Sequence, residues 1–272
     1  MSRHRAPSNG GLLQSSCWSC SANKVILSEY EAATDASKRE GTENGVRQDR
    51  LPFGGTRMTI ALATQRETFA VLVTDRLALI IKEDGQIELR EVPKIAFHLS
   101  LPLACTVAAD MAYLPVDLET SQPGWRPITD HIAEVFNEIG PDGLCVRTIA
   151  ERIRTRLDPL INKYRAGKGD TICSHIALVN NGKADGAFVT IQERTYSCAN
   201  DLYGRVAPPE IHACVQARLA EVAPLTDPDK IARLMADIVR QAISIEGGKT
   251  IGFGVDSAII SGAGVQLRRY PL

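Results

Sequence analysis

From Thr59 onward, short apolar runs and stretches of helical period follow one another in the order strands, helices, strands, helices, strand. That order limits the fold more than any single motif does. Thr59–Ala63 and Phe69–Val73 read as strands on either side of the polar turn Gln65-Arg66-Glu67. Leu77 to Ile81 is apolar again, and Asp84-Gly85 is a hairpin signal. Ile87, Leu89, Val92, Ile95 and Phe97 continue the sheet, and Leu101 to Ala109 adds a strand of small residues. The middle turns helical, through Ile132, Val135, Phe136 and Ile139 and then Ile149, Ile153, Leu157, Leu160 and Ile161, with Pro159 expected to kink the second helix. Asn180-Asn181-Gly182 predicts a hairpin joining 175–179 to 187–191, with 195–199 beside it. Helices are predicted over 210–222 and 227–243, the latter capped by Asp227 with Pro228 in its first turn. A strand at Val255–Ile260 ends in a turn at Ser261-Gly262. Hairpins rather than βαβ crossovers join the strands, so the expected class is α+β, with antiparallel sheets sandwiched and covered by helices.

Residues 1–57 break this pattern. They are turn-rich and polar, their apolar run is only Val25-Ile26-Leu27, and no apolar stretch of about 7–15 residues follows the basic Arg3-His4-Arg5. The expectation is a disordered leader, a propeptide or upstream sequence, with Met58 as an alternative start and the folded domain spanning 58–272. Lys plus Arg total 31 against 32 Asp plus Glu, so no global positive field draws nucleic acid. No apolar run reaches the roughly 20 residues that span a bilayer. These features predict a cytoplasmic protein with no nucleic-acid or membrane partner. Of the seven cysteines only Cys17 and Cys20 form a C-x-x-C pair, which without a second pair or a well-spaced histidine reads as reduced thiols rather than zinc. His4, His98, His131, His175 and His212 are scattered, and no phosphate loop or dinucleotide fingerprint occurs. Neither metal nor cofactor is expected.

Five segments in order carry a family resemblance. They are Thr59-Ile60-Ala61, Thr74-Asp75-Arg76, Val92-Pro93-Lys94-Ile95, Ala108-Ala109-Asp110 and Gly252-Phe253-Gly254-Val255-Asp256-Ser257-Ala258-Ile259-Ile260. Together they resemble the proteasome β-subunits and their bacterial relatives, over about residues 58–267. The resemblance implies the N-terminal-nucleophile hydrolase fold, a four-layer αββα sandwich of two antiparallel sheets between helices. It also implies homo-oligomeric rings, an unfoldase ATPase as possible partner, and hydrolysis of peptides or unfolded proteins by an amino-terminal threonine.

The chemistry explains why such a nucleophile stands first in its chain. A threonine hydroxyl needs a base, and a free α-amine with a pKa of about 7.7–8.0 can serve. The catalytic set implied is Thr59, Asp75 and Lys94. Asp75 lies 16 positions after Thr59, as in the family, and Lys94 lies 19 after Asp75, a few more than usual, with the extra length near Glu83-Asp84-Gly85. The lysine would favour the deprotonated oxygen, and the carboxylate would orient the lysine. A backbone N–H near Thr106 or Val107 would stabilise the oxyanion. Thr56, after Gly54-Gly55, is the alternative nucleophile, at 19 positions from Asp75. Two departures stand out: Thr106 where the family has glycine, and Ile245-Glu246-Gly247-Gly248 in place of Asp-x-x-Ser-Gly-Gly. The rival readings are a non-catalytic ring subunit and a small-amide amidohydrolase.

Overall fold

The computed structural model describes residues 59–81, 87–109, 113–116, 125–141, 145–165, 172–190, 195–198, 209–248 and 251–272. The expected leader, its boundary, Thr56, Met58, Cys17, Cys20 and the Asp84-Gly85 turn lie outside these residues. Strands β1 (Ala61–Gln65), β2 (Phe69–Asp75), β12 (Val255–Ser261) and β13 (Gly264–Tyr270) form one antiparallel sheet in the order β1-β2-β12-β13. A second antiparallel sheet has the order β11-β10-β9-β6-β5, from β5 (Ile95–Phe97), β6 (Leu103–Ala109), β9 (Ile172–Asn180), β10 (Lys183–Thr190) and β11 (Thr195–Cys198). Two ribbons stand apart, β3 (Leu77–Ile81) with β4 (Ile87–Glu91), and β7 (Tyr113–Pro115) with β8 (Trp125–Pro127). Four helices occur among the described residues: α1 (Ile128–Asn137), α2 (Val146–Arg165), α3 (Pro209–Leu219) and α4 (Pro228–Glu246). None of these helices is long and apolar enough to cross a membrane.

Local chemistry accounts for the best-defined joints. Asn181 and Gly182 adopt φ of 51° and 74°, the left-handed pair that a two-residue hairpin between β9 and β10 requires. The Asp227 side chain accepts from Asp229 N–H at 2.9 Å and Lys230 N–H at 3.1 Å, capping α4, and Gly247 ends that helix at φ 78°. Pro159 lies within α2, where it withdraws one donor from the helix ladder. β13 was not expected, nor were β7 and β8. β13 carries Gln266, Arg268 and Arg269 at a sheet edge, where polar side chains meet solvent and discourage further pairing.

Strand period divides most of the apolar residues among three large buried clusters, with Ala61 and Ala108 forming a small fourth. On β2, Phe69, Val71 and Val73 pack with Ile60, Leu62, Val255 and Ile259 against residues of α3 and α4 such as Val215, Met235 and Val239. The alternate residues Ala70 and Leu72 join Ala258 and Ile260 in contact with Ile95, Ala104, Ala177 and Val179 of the second sheet. Leu103, Cys105, Ile176 and Leu178 point the other way, toward α1 and α2 residues such as Phe136 and Leu157. Where the two sheets meet, alanines (Ala70, Ala104, Ala177 and Ala258) alternate with larger residues such as Leu72, Ile95 and Ile260.

Candidate active site

Thr59 and Ile60 precede β1. Ile60 is fixed in the cluster under α3 and α4, and its carbonyl accepts from Asp75 N–H at 3.2 Å, which leaves Thr59 beside the end of β2. Asp75 is the last residue of β2 and pairs with Val255 of β12. Lys94 stands just before β5, and its carbonyl accepts Val107 N–H at 2.8 Å. The three side chains that the sequence singled out come together here. Lys94 Nζ donates to both oxygens of Asp75, at 2.9 and 3.0 Å, and to Thr59 Oγ1 at 3.3 Å. All three residues are buried.

The surroundings of Asp75 consist of donors. Ile60 N–H reaches Oδ1 at 3.2 Å, while Leu77 N–H and Gly252 N–H reach Oδ2 at 3.1 and 3.4 Å. Burial raises the proton affinity of Asp75, and the Lys94 charge and the hydrogen bonds oppose that rise. Burial lowers the proton affinity of Lys94, and Asp75 opposes it. The two affinities are thereby drawn toward one another across a short contact. A lysine so placed can hand a proton on or hold a charge beside Thr59 Oγ1, whichever the reaction demands.

Thr106 does not join this group. It lies in the middle of β6, where its Oγ1 accepts from His175 N–H at 3.3 Å and sits 3.4 Å from His175 Nδ1. Its partners in register are Ile95 on one side and His175 on the other. The bond from Val107 N–H to the Lys94 carbonyl shows that the odd residues of this stretch face β5, so the Thr106 N–H faces β9. Of the two amides considered for the oxyanion, that of Val107 is engaged by the Lys94 carbonyl, and that of Thr106 is directed toward β9. The next amide on the β5 side is that of Ala109. The residue opposite it in register, Val92, donates its N–H to the Arg76 carbonyl at 2.8 Å. The bond from the Gly252 amide to Asp75 carries almost no sequence signal, because it is made through the backbone.

No family model matches the chain, and no curated protein matches it in sequence. Among solved structures it is similar to a Gly-1 mutant of Anbu from Hyphomicrobium sp. strain MC1. The TM-score is 0.53 at 12% identity, over 79% of this chain and 88% of that one. The likeness is one of fold, and it is with a proteasome-like protein of the N-terminal-nucleophile class.

Proposed function

We propose that the chain is a threonine-type peptidase of the N-terminal-nucleophile class, with the four-layer αββα arrangement of that class. The observation that carries this reading is the Lys94 ammonium lying within 3.3 Å of Thr59 Oγ1 while it bridges the carboxylate of Asp75. Thr59 Oγ1 attacks the carbonyl carbon of a peptide bond, and its proton passes to the α-amine of Thr59 once that amine is free. Lys94 stabilises the developing negative charge on the attacking oxygen, and Asp75 keeps Lys94 aimed. The Ala109 N–H, two residues along β6 from Val107 and on the same side of the strand, is the donor we assign to the oxyanion. The leaving amine takes the proton back, and water then hydrolyses the ester on Thr59.

This chemistry requires that residues 1–58 be absent from the working enzyme, whether by processing or by a start at Met58 followed by removal of that methionine. The working enzyme would then comprise 59–272, the 58–272 domain less its first residue. By the same reading the protein works in the cytoplasm as a homo-oligomeric ring on peptides or unfolded proteins, with an unfoldase ATPase as partner. Intact mass of purified protein, read beside the hydrolysis of fluorogenic peptides, tests the proposal. A chain beginning at Thr59, with hydrolysis that falls to background in Thr59→Ala, is the expected result. A chain beginning at Thr56 would move the nucleophile there. A retained leader with no hydrolysis would leave a non-catalytic subunit, and cleavage of small amides alone would make the protein an amidohydrolase.

A further inference from the structure

The carboxylate of Asp75 is held partly by a turn that arrives late in the chain. Gly252 N–H donates to Asp75 Oδ2 at 3.4 Å, and the Gly252 carbonyl accepts Arg76 N–H at 3.0 Å. The next residue, Phe253, has φ of 61° with its side chain largely exposed, and Gly254 has φ of 107°. A phenylalanine keeps to the left-handed region only when its surroundings hold it there. Two elements flank the next residue, Gly254, where an added Cβ would meet the Tyr270 carbonyl of β13 at 3.2 Å and Arg76 Cδ at 3.9 Å. The Arg76 guanidinium bonds the carboxylate of Asp256 and, at 2.8 Å, that of Glu91. Arg269 bonds the same Glu91 oxygen at 2.7 Å and lies 3.7 Å from Asp256 Oδ1. The Arg76 and Asp256 side chains are only 10% and 14% exposed. The turn is therefore tied from β2 (through Arg76), from the end of β4 (through Glu91) and from β12 (through Asp256).

We propose that Arg76 is a positioning residue. Clamped between Asp256 and Glu91, it holds the 252–254 turn so that the Gly252 N–H stays on Asp75, and it thereby sets how tightly Lys94 keeps its proton beside Thr59. The inference rests on the peptidase reading only in that Lys94 tunes Thr59. Among the described residues, Asp75 is the charged group in direct contact with Lys94, and Arg76, Glu91, Asp256 and Arg269 form the linked cluster that begins at the residue after Asp75.

The sign of one titration separates this role from simple charge removal. Asp256→Asn deletes a negative charge, which acting through space would ease the loss of the Lys94 proton and lower its midpoint. If the variant instead frees the turn, Asp75 loses an N–H donor, its negative charge is less well stabilised, and the pair holds its proton more firmly. The midpoint then rises, by about one pH unit for a hydrogen bond to a charged group. The Lys94 13Cε resonance of the full chain, assigned by its loss in Lys94→Met, reports this directly. An upward shift in Asp256→Asn, with a smaller upward shift in Glu91→Gln, is expected. An unmoved or lowered midpoint in folded Asp256→Asn overturns the clamp. Glu91, with its side chain 43% exposed, keeps the test open should Asp256→Asn fail to fold, and an unmoved midpoint there has the same consequence. Peptide hydrolysis measured alongside keeps the two ideas apart. A raised midpoint without hydrolysis supports the clamp and removes the peptidase reading, whereas hydrolysis with an unmoved midpoint overturns the clamp and leaves that reading standing.

Discussion

Two ionic clusters in this molecule look alike on paper and differ in what they cost. In one, Lys94 bridges Asp75 with side chains that are 8% and 0% exposed. In the other, Glu134 of α1 accepts from Arg126 of β8 at 2.5 Å and from Arg156 of α2 at 2.7 Å, with side chains 40%, 22% and 46% exposed. The second cluster lies in water, where such pairs form freely and contribute little. The first has been stripped of water, and its attraction barely repays that loss unless every remaining lone pair finds a donor. Asp75 does find donors, in three backbone amides. A chain choosing residues for stability alone would place apolar residues there, much as it does with Val71, Leu72 and Val73 on β2. The buried charges at the end of β2 are the ones that the proposed chemistry would use.

The largest effect should come from breaking the buried pair on one side. Lys94→Ala leaves Asp75 uncompensated and is expected to lower stability by about 3–5 kcal/mol in urea unfolding. The double change Asp75→Asn with Lys94→Met should recover most of that loss. If the double variant is as unstable as the single one, the buried charges hold the fold together more than this comparison allows.

A second measurement sharpens the contrast through pH. His175 lies in the same inter-sheet region as Thr106, fully enclosed, and burial lowers its pKa from 6.5 to about 3. The unfolded chain therefore takes up a proton between those values that the folded chain refuses. Stability should fall as pH drops below about 6.5, by roughly 3 kcal/mol at pH 4. His175→Gln should flatten the slope between pH 6 and 4 in denaturant titrations. An unchanged slope would place the acid sensitivity elsewhere.

The same contrast explains what could be read in the sequence. The apolar stripes of β2, α1 and α4, the Asn181-Gly182 hairpin and the Asp227 cap are local signals, since propensity, period and turn chemistry agree within a few residues. Thr59, Asp75 and Lys94 were legible as a set through their order and spacing, and the structure brings their side chains within hydrogen-bonding distance. β13 was not legible, because an edge strand lined with arginines has no apolar period to find. The Asp256 and Glu91 grip on Arg76 was not legible either, because it joins residues up to 180 positions apart. The pairing of Thr106 with His175 was not legible, because sequence gives a residue's neighbours in the strand but not the side to which its N–H turns.

The smallest expected effect belongs to the surface cluster. Hydrogen bonds from Arg126, and then from Arg156, lower the Glu134 pKa from 4.5 to about 2. A depressed carboxylate contributes stability above its unfolded pKa and loses that contribution as pH falls from about 4.5 toward 2. With this much exposure, solvent screens most of the attraction. Arg156→Ala should therefore cost less than about 0.5 kcal/mol at neutral pH, and the cost should vanish near 1 M salt, where the screening length is about 3 Å. The Lys94→Ala penalty, measured in the same salt series, should hardly change, because no mobile ion reaches that pair. If both penalties faded together with salt, water would have access to Lys94 and Asp75, and the physical distinction between the two clusters would be lost.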